Sequence, residues 1–425
     1  MARIEVFEHR PAVLGINSLG RIGKLTLWHH VGRKYFQEIV VNQGREVGTG
    51  LHSIAQLIEK DATYGLLHRF LHGVRANRVI EEVDEKKGRM VVDGVPVTVL
   101  REARNPNAIP WRDYGVDVVA ECTGKFGDPT VPAEDPKGSI QGHLAGGAKV
   151  VINSSAFKIK NKALAMPDDA VTVIYGINHP AFETGKHRLV SAASCTTTAL
   201  AHMVKPLLES EETNTILTAS MSTVHAVTNS QAVLDSVPKA GEKDLRKGRS
   251  ILNNIILTST NAAEALGQVI PQVKSIGFMA DSIRVPTNTE SLIVLNVTFQ
   301  APSNGNGTNL PINTKVINGI YKSKAEKDPE HLLLYSEEQN VSTDLMGTDA
   351  AVVIEGQFNH TRTAFIDVDL TRIPGLSDAL LQSAPAKRMK VPVVHAKVFG
   401  WYDNEYGSYT NRMGDLTVYV HKQLS

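Results

Sequence analysis

The stretch "SAASCTTTAL" (Ser191–Leu200) holds Cys195, one of only two cysteines in 425 residues. A thiolate is a strong nucleophile, and its surroundings decide whether a cysteine is used as one. Most free cysteines are buried and inert, but the neighbourhood of Cys195 points to a reactive thiol. The preceding "KHRLVSAAS" closes a short apolar, strand-like run. Leu200, Met203, Val204, Leu207 and Leu208 then recur at the spacing of a helix face. Ser194 is a good N-cap, which puts Cys195 in the first helical turn. There the unpaired N–H groups and the positive end of the dipole favour a thiolate. Pro206 is predicted to kink this helix. Strand, tight turn, thiol and helix form a geometry suited to covalent attack.

A second stretch could hold an electron acceptor. "GINSLGRIGK" (Gly15–Lys24) follows the strand-like "AVLGIN" and opens a helix. A dinucleotide fingerprint belongs at such a place, because pyrophosphate sits against a helix N-terminus. Its three glycine positions read Ser18, Gly20 and Gly23. Asn17, Gly20, Arg21 and Ile22 are the candidate cofactor residues of this turn. The next strand-like run ends "VVNQGR", with Gln43 where an acidic residue would hold the adenosine ribose. Gln43 can still hydrogen-bond a hydroxyl, and Arg45 is close enough to meet a 2′-phosphate. The cofactor expected is therefore NAD or NADP.

These residues need elements to position them. Up to Cys195 the chain alternates strand-like and helix-like segments. Strand candidates are Ala12–Asn17, Glu38–Asn42, "GVDVVAECTG" and "AKVVINSS"; helices are Arg21–Val31 and "LHSIAQLIEK". That alternation predicts a parallel sheet. "GRMVVDGVPVTVLRE" carries a hairpin signal at Asp93-Gly94. "FGDPTVPAEDPKGS" reads as a surface loop. After Cys195 come longer alternating runs, "NTILTASMSTVHAV", "SLIVLNVTFQ", "AVVIEGQ", "TAFIDVDL" and "VVHAKVFGWY". They suit an antiparallel sheet with one covered face. "PINTKVINGIYKSK" and the C-terminal "NEYGSYTNRMGDLTVYVHKQ" read as helices, and "APSNGNGTNLP" as a flexible turn.

The fold class expected is α/β: a Rossmann-type parallel-sheet dinucleotide domain plus an α+β catalytic domain with a mainly antiparallel sheet. The expected domains are 1–194, completed by a C-terminal helix at about 403–425, and 195–402. A formal net charge of +1 gives no electrostatic case for nucleic acid or a membrane surface. Two cysteines make no disulfide framework, and no apolar run approaches the roughly 20 residues of a bilayer span. The N-terminus lacks the apolar core of a secretory signal. A cytoplasmic protein with no metal is the expectation.

The segments "GINSLGRIGK", "SAASCTTTALA", "MSTVHAVTNSQ", "DSIRVPTNTESLIVL" and "GWYDNEYGSYTNR", in this order, closely resemble glyceraldehyde-3-phosphate dehydrogenases. The resemblance runs from about Val13 to Val420 and fits the longer bacterial branch of the family. Extra length lies in the N-terminal arm, after Phe126, around Pro238–Lys243 and at Ser377–Lys390. The resemblance implies that Cys195 attacks an aldehyde and that His225 acts as base for hydride transfer. It implies that Asn404 holds the nicotinamide carboxamide and that Arg104, Thr123 and Gly124 line the cofactor. Thr228, Ser230 and Arg284 match the substrate-phosphate site. Ser194, Thr196, Thr260 and either Arg246 or Arg249 match the site of the attacking inorganic phosphate. The family is typically a homotetramer, and Thr228–Arg249 corresponds to a loop that meets a neighbour's cofactor site.

Four residues depart from the family's pattern. Ser18 and Gln43 bear on the cofactor. Asn261, where the family has glycine, bears on phosphate binding. Ala192 stands where the family has asparagine. The function implied is phosphorylating oxidation of glyceraldehyde 3-phosphate to 1,3-bisphosphoglycerate. The same chemistry on erythrose 4-phosphate, or a catalytically weakened relative acting as a binding or regulatory protein, are the alternatives.

Overall fold

The computed structural model describes residues 11–75, 77–238, 240–301 and 312–424. Most of the stretch "APSNGNGTNLP", read as a turn from the sequence, and of the N-terminal arm lies outside the described residues. Two compact units make up the chain: Met1–Thr198 with Glu405–Ser425, and Ala199–Asn404.

The first unit is built on β1 (Val13–Asn17), α1 (Arg21–Arg33) and β2 (Glu38–Asn42), followed by α2 (Leu51–Glu59). A two-stranded ribbon, β3 (Lys60–Asp61) and β4 (Gly65–Leu66), leads to α3 (Leu67–His72). Then come β5 (Ile80–Asp84), β6 (Arg89–Val92), β7 (Val95–Leu100) and β8 (Val118–Glu121). They are followed by α4 (Gln141–Ala145), β9 (Val150–Asn153), β10 (Ala170–Thr172) and β11 (Leu189–Ser191). The nine-stranded sheet has the order β10-β11-β9-β8-β1-β2-β7-β6-β5. It is parallel from β10 to β7, and β5–β6–β7 form an antiparallel margin.

The apolar runs of β1, β2, β8 and β9 face two ways. Leu14, Ile16, Ile39, Val41, Val118, Ala120, Val150 and Ile152 belong to one buried cluster; Val13, Val40, Val119 and Val151 belong to another. Burial on both faces explains why these strands read as continuous apolar stretches. At the β6–β7 hairpin Asp93 (φ 48°) and Gly94 (φ 77°) both adopt the left-handed backbone of a primed turn, as the Asp-Gly pair predicted.

The second unit carries β12 (Ile216–His225), β13 (Ile256–Thr258), α6 (Ala262–Val269), β14 (Gly277–Arg284) and β15 (Ser291–Gln300). It continues with α7 (Thr314–Lys327), β16 (Leu333–Ser336), β17 (Val352–Glu355), β18 (His360–Asp369) and β19 (Arg388–Tyr402). The sheet order is β13-β14-β12-β15-β19-β17-β16, with β18 also paired to β19. Its pairings are antiparallel except β12–β14 and β16–β17. Along β15 burial alternates residue by residue, so one face is covered and the other is open, as the period-two pattern predicts. Gly400 of β19 lets Met203 close in: a Cβ there would fall 2.6 Å from the Met203 sulfur.

Candidate active site

The first unit has a topological switch point. The chain leaves β1 toward β2 and β7 on one side and resumes at β8 on the other. Ligands of doubly wound sheets bind outside the carboxyl ends of strands at such a point. There the backbone turns at Ser18, whose φ of 86° is one that glycine ordinarily supplies. The Ser18 hydroxyl accepts from Gly20 N–H (3.1 Å), and Ser18 N–H donates to Asn42 O (2.7 Å). Gly23 cannot be replaced without a shift, because a Cβ there would lie 1.9 Å from Ser18 O. Gly20 caps α1 without a side chain, so the helix start over Arg21 and Ile22 keeps its N–H groups for an anion. This turn fits a pyrophosphate.

Around the turn several candidate residues are already engaged. Arg21 binds Asp61 and Glu405, and Asp61 also meets Lys24 at 2.7 Å. Burial pushes the Asp61 carboxyl up, but Lys24 and Arg21 outweigh it and hold it below the usual carboxylate range. The Gln43 amide oxygen accepts from Leu19 N–H at 3.0 Å, so it braces the turn. Arg104 donates to Gly44 O at 3.3 Å. Thr123 N–H donates to Glu121 at 2.7 Å, and Gly124 follows with φ 67°. The Asn17 amide is buried between Glu121 and Asn42.

At the end of β11, Ala193 takes a left-handed φ of 54° and its N–H donates to Ser191 Oγ at 3.1 Å. Ser194 Oγ then accepts from Thr197 N–H at 3.2 Å, the N-cap bond the sequence predicts. Cys195 is the first residue of α5 (Cys195–Glu209) and is half-buried. Thr196 beside it is buried. The helix runs on through Pro206 to Glu209. Cys122 lies inside the apolar core, and burial with the neighbouring Glu121 charge pushes its thiol up to about 12. It is a packing residue just past the end of β8.

In the second unit β12 and β14 run parallel with His225 directly opposite Arg284. Sequence spacing hides this pairing, because 59 positions separate the two. His225 Nδ1 lies 2.7 Å from Ala226 O and 2.6 Å from Arg284 Nη1. One proton cannot serve both contacts. With the proton on Nδ1 the ring donates to Ala226 O, and Nε2 accepts from Asn404 Nδ2 at 3.2 Å. With the proton on Nε2, Nδ1 accepts from Arg284. Burial and the Arg284 charge lower the ring's pKa to about 3, so it is a neutral imidazole. Asn404 is buried, and its Oδ1 accepts from Ser291 O–H at 2.8 Å.

Thr228 and Ser230 form an exposed hydroxyl pair, 2.8 Å apart. Thr260 Oγ1 accepts from Ala262 N–H at 3.2 Å at the start of α6. Asn261 has φ −95°, so the backbone does not require glycine there. Arg246 and Arg249 are exposed and bound to Asp244 and Asp235 of their own loop. Among the described residues neither is joined to the His225–Arg284–Asn404 group by a hydrogen bond.

Glu121 and Glu290 are buried acids to which the sequence alone assigns no role. Glu121 ends β8 and is fully buried against His143. Glu290 immediately precedes β15 at φ 62°, and neither of its oxygens has a hydrogen-bond partner among the described residues. Burial and the nearby Asp403 charge push its carboxyl up to about 10. The available signal was the same in both: a carboxylate set at the edge of an apolar strand run.

A doubly wound sheet with a phosphate-fitting turn at its switch point, in a chain that also starts a helix on a thiol, defines a dinucleotide-dependent oxidoreductase. Residues 12–129 match the glyceraldehyde 3-phosphate dehydrogenase NAD binding domain, and residues 194–375 match the C-terminal domain of the same enzymes. The glyceraldehyde-3-phosphate dehydrogenase of Streptomyces coelicolor is 32% identical over 97% of this chain and 99% of its own length. Glyceraldehyde-3-phosphate dehydrogenase 1 of Streptomyces avermitilis is 34% identical over 97% and 99%. Glyceraldehyde-3-phosphate dehydrogenase 1 of Bacillus cereus is 31% identical over 96% and 98%. The chain belongs to the glyceraldehyde-3-phosphate dehydrogenase family, in its longer bacterial branch, and its cofactor is NAD or NADP.

Proposed function

We propose that the protein oxidises glyceraldehyde 3-phosphate to 1,3-bisphosphoglycerate, with Cys195 as nucleophile and His225 as base. The observation that carries this reading is the His225–Arg284–Asn404 group, in which a neutral imidazole meets a guanidinium able to bind phosphate. The Cys195 sulfur bonds to the aldehyde carbon as the C=O double bond opens, and the thiol proton passes to the aldehyde oxygen to give a hemithioacetal. His225 takes the hydroxyl proton as the carbonyl re-forms. The bound nicotinamide supplies the hydride acceptor, and the product left on sulfur is a thioester. An oxygen of inorganic phosphate attacks that carbon, the C–S bond breaks, and the acyl phosphate leaves.

Arg284 has a second part in this reading. When it turns to the substrate's phosphate, His225 Nδ1 is left to donate to Ala226 O, and Nε2 becomes the acceptor a base requires. Thr228 and Ser230 add hydroxyl donors for the same phosphate. Ser194, Thr196 and Thr260 serve the attacking phosphate. Asn404, held by Ser291, is the residue that would bind the nicotinamide carboxamide. A homotetramer fits the family.

The test is steady-state kinetics with glyceraldehyde 3-phosphate and erythrose 4-phosphate, with and without inorganic phosphate, for NAD and NADP. The expected result is phosphate-dependent reduction of the cofactor with the higher kcat/KM for glyceraldehyde 3-phosphate. A higher value for erythrose 4-phosphate, or turnover indifferent to phosphate, overturns it.

A further inference from the structure

The carboxyl ends of four adjacent strands in the first unit carry a row of polar side chains. Asn42, Asn17, Glu121 and Asn153 end β2, β1, β8 and β9 and are register partners in turn. All four are buried. The centre of the row is Glu121. Its Oε2 accepts from Asn17 Nδ2 (2.6 Å) and from His143 Nε2 (2.8 Å). Its Oε1 accepts from Thr123 N–H (2.7 Å) and from the Thr123 hydroxyl. Asn42 Nδ2 donates to Asn17 Oδ1 (2.8 Å) and to Ala103 O (3.0 Å).

The donor set fixes protonation at His143. Trp111 Nε1–H only donates, and it reaches His143 Nδ1 at 3.0 Å. His143 therefore carries its proton on Nε2 and presents it to Glu121. Trp111 and His143 are both fully buried. A buried carboxylate left with fewer donors is costly, so a single carboxylate that fills four acceptor places makes a stiff joint.

Asn17 and Thr123 are the two lips of the switch point, one at the end of β1 and one just past β8. Glu121 is the group bound to both. We propose that Glu121, oriented by His143 and Trp111, is a positioning residue for the dinucleotide: it holds the lips of the crevice at the separation the cofactor needs. The inference rests on the family's dinucleotide site lying at this sheet edge. Glu121 need not touch the cofactor, since its oxygens are engaged on the protein side.

The experiment is titration of NAD and NADP into the full-length protein, with steady-state kinetics, for wild type, Glu121→Gln and Trp111→Phe. A glutamine turns one acceptor end into a donor, which must then face either Asn17 and His143 or Thr123. Glu121→Gln is expected to raise Kd and KM for NAD about tenfold or more, the scale of one or two lost charge-assisted hydrogen bonds. The factor should be the same for NADP, because Glu121 ends β8, two strands from the end of β2 where Gln43 and Arg45 follow. At saturating cofactor kcat should stay within about threefold, since no transition-state contact is removed. Trp111→Phe frees the His143 tautomer and should move Kd in the same direction by less. If Glu121→Gln does not fold, Trp111→Phe decides by the same titration. Unchanged Kd in folded variants, with or without a lower Tm, overturns the inference and leaves Glu121 as core. A wild type that binds neither dinucleotide overturns the cofactor assignment itself.

Discussion

Cys195 and Cys122 show how one residue type is put to two uses. Both end up beside the same sheet, yet Cys195 starts a helix and is half-buried, while Cys122 is sealed in the core with its thiol pushed up to about 12. Alkylation of the native protein is therefore expected to label Cys195 well ahead of Cys122, as mass spectrometry of the peptides would read. Cys195→Ser should abolish dehydrogenase turnover with the fold retained, because a serine hydroxyl is hardly ionised at neutral pH. Turnover near the wild-type rate would remove Cys195 from the mechanism. His225→Asn should lower kcat by about 10²–10⁴, the usual size of a general-base contribution. A packing role would instead lower Tm and leave the specific activity of the folded protein unchanged.

At the scale of elements, the strand–turn–helix at Ser18–Gly23 is the part most constrained by backbone geometry. Ser18 tolerates φ 86° with help from its own hydroxyl, so Ser18→Gly should change stability by less than about 1 kcal/mol. Gly23 has no such latitude, because the atom in its way is backbone, Ser18 O. Gly23→Ala should cost about 1–3 kcal/mol of stability, the range for overpacking a tight site, and should weaken NAD binding as the turn is displaced. Denaturant unfolding and NAD titration of both variants test this. A Gly23→Ala protein as stable and as tight as wild type would mean that α1 is free to move away from β1.

For the whole molecule, Glu290 makes stability depend on pH. Its carboxyl has an ordinary value of 4.5 when solvated and about 10 in the folded chain. Between those values the native state holds a proton that the unfolded state has released. Stability is then greatest at the acid end of the window and falls as pH rises toward 10. By pH 8 the loss is on the order of a few kcal/mol, at about 1.4 kcal/mol per pKa unit. Glu290→Gln keeps the shape without the titration. Its Tm advantage over wild type should be small near pH 5 and grow steadily toward pH 8.5, about the span in which the carboxyl must be held protonated. A Tm difference that stays flat with pH would show that Glu290 is ionised or solvated in the native protein. Among the described residues no helix is long and apolar enough to cross a membrane.

The sequence by itself determined the features carried by neighbours along the chain. The Ser194 cap and the Cys195 helix start, the primed turn at Asp93-Gly94 and the phosphate turn before α1 are local. Their signals sit within a few residues, where capping and backbone preference act. Apolar runs and alternating runs likewise separated the parallel sheet from the largely antiparallel one. Tertiary structure alone decided what depends on strand order. It placed His225 opposite Arg284 through a parallel β12–β14 pairing, while β14 itself lacked a clear alternating run. It tied Arg21 to Asp61 and Glu405, and gave the Gln43 amide oxygen the N–H of Leu19 to brace. It also aligned Asn42, Asn17, Glu121 and Asn153 in one buried row. Each of those residues is one polar letter at the end of an apolar run, and only the register of the sheet brings Asn42, Asn17 and Glu121 within hydrogen-bonding distance of one another, with Asn153 beside them bonded to Ser155.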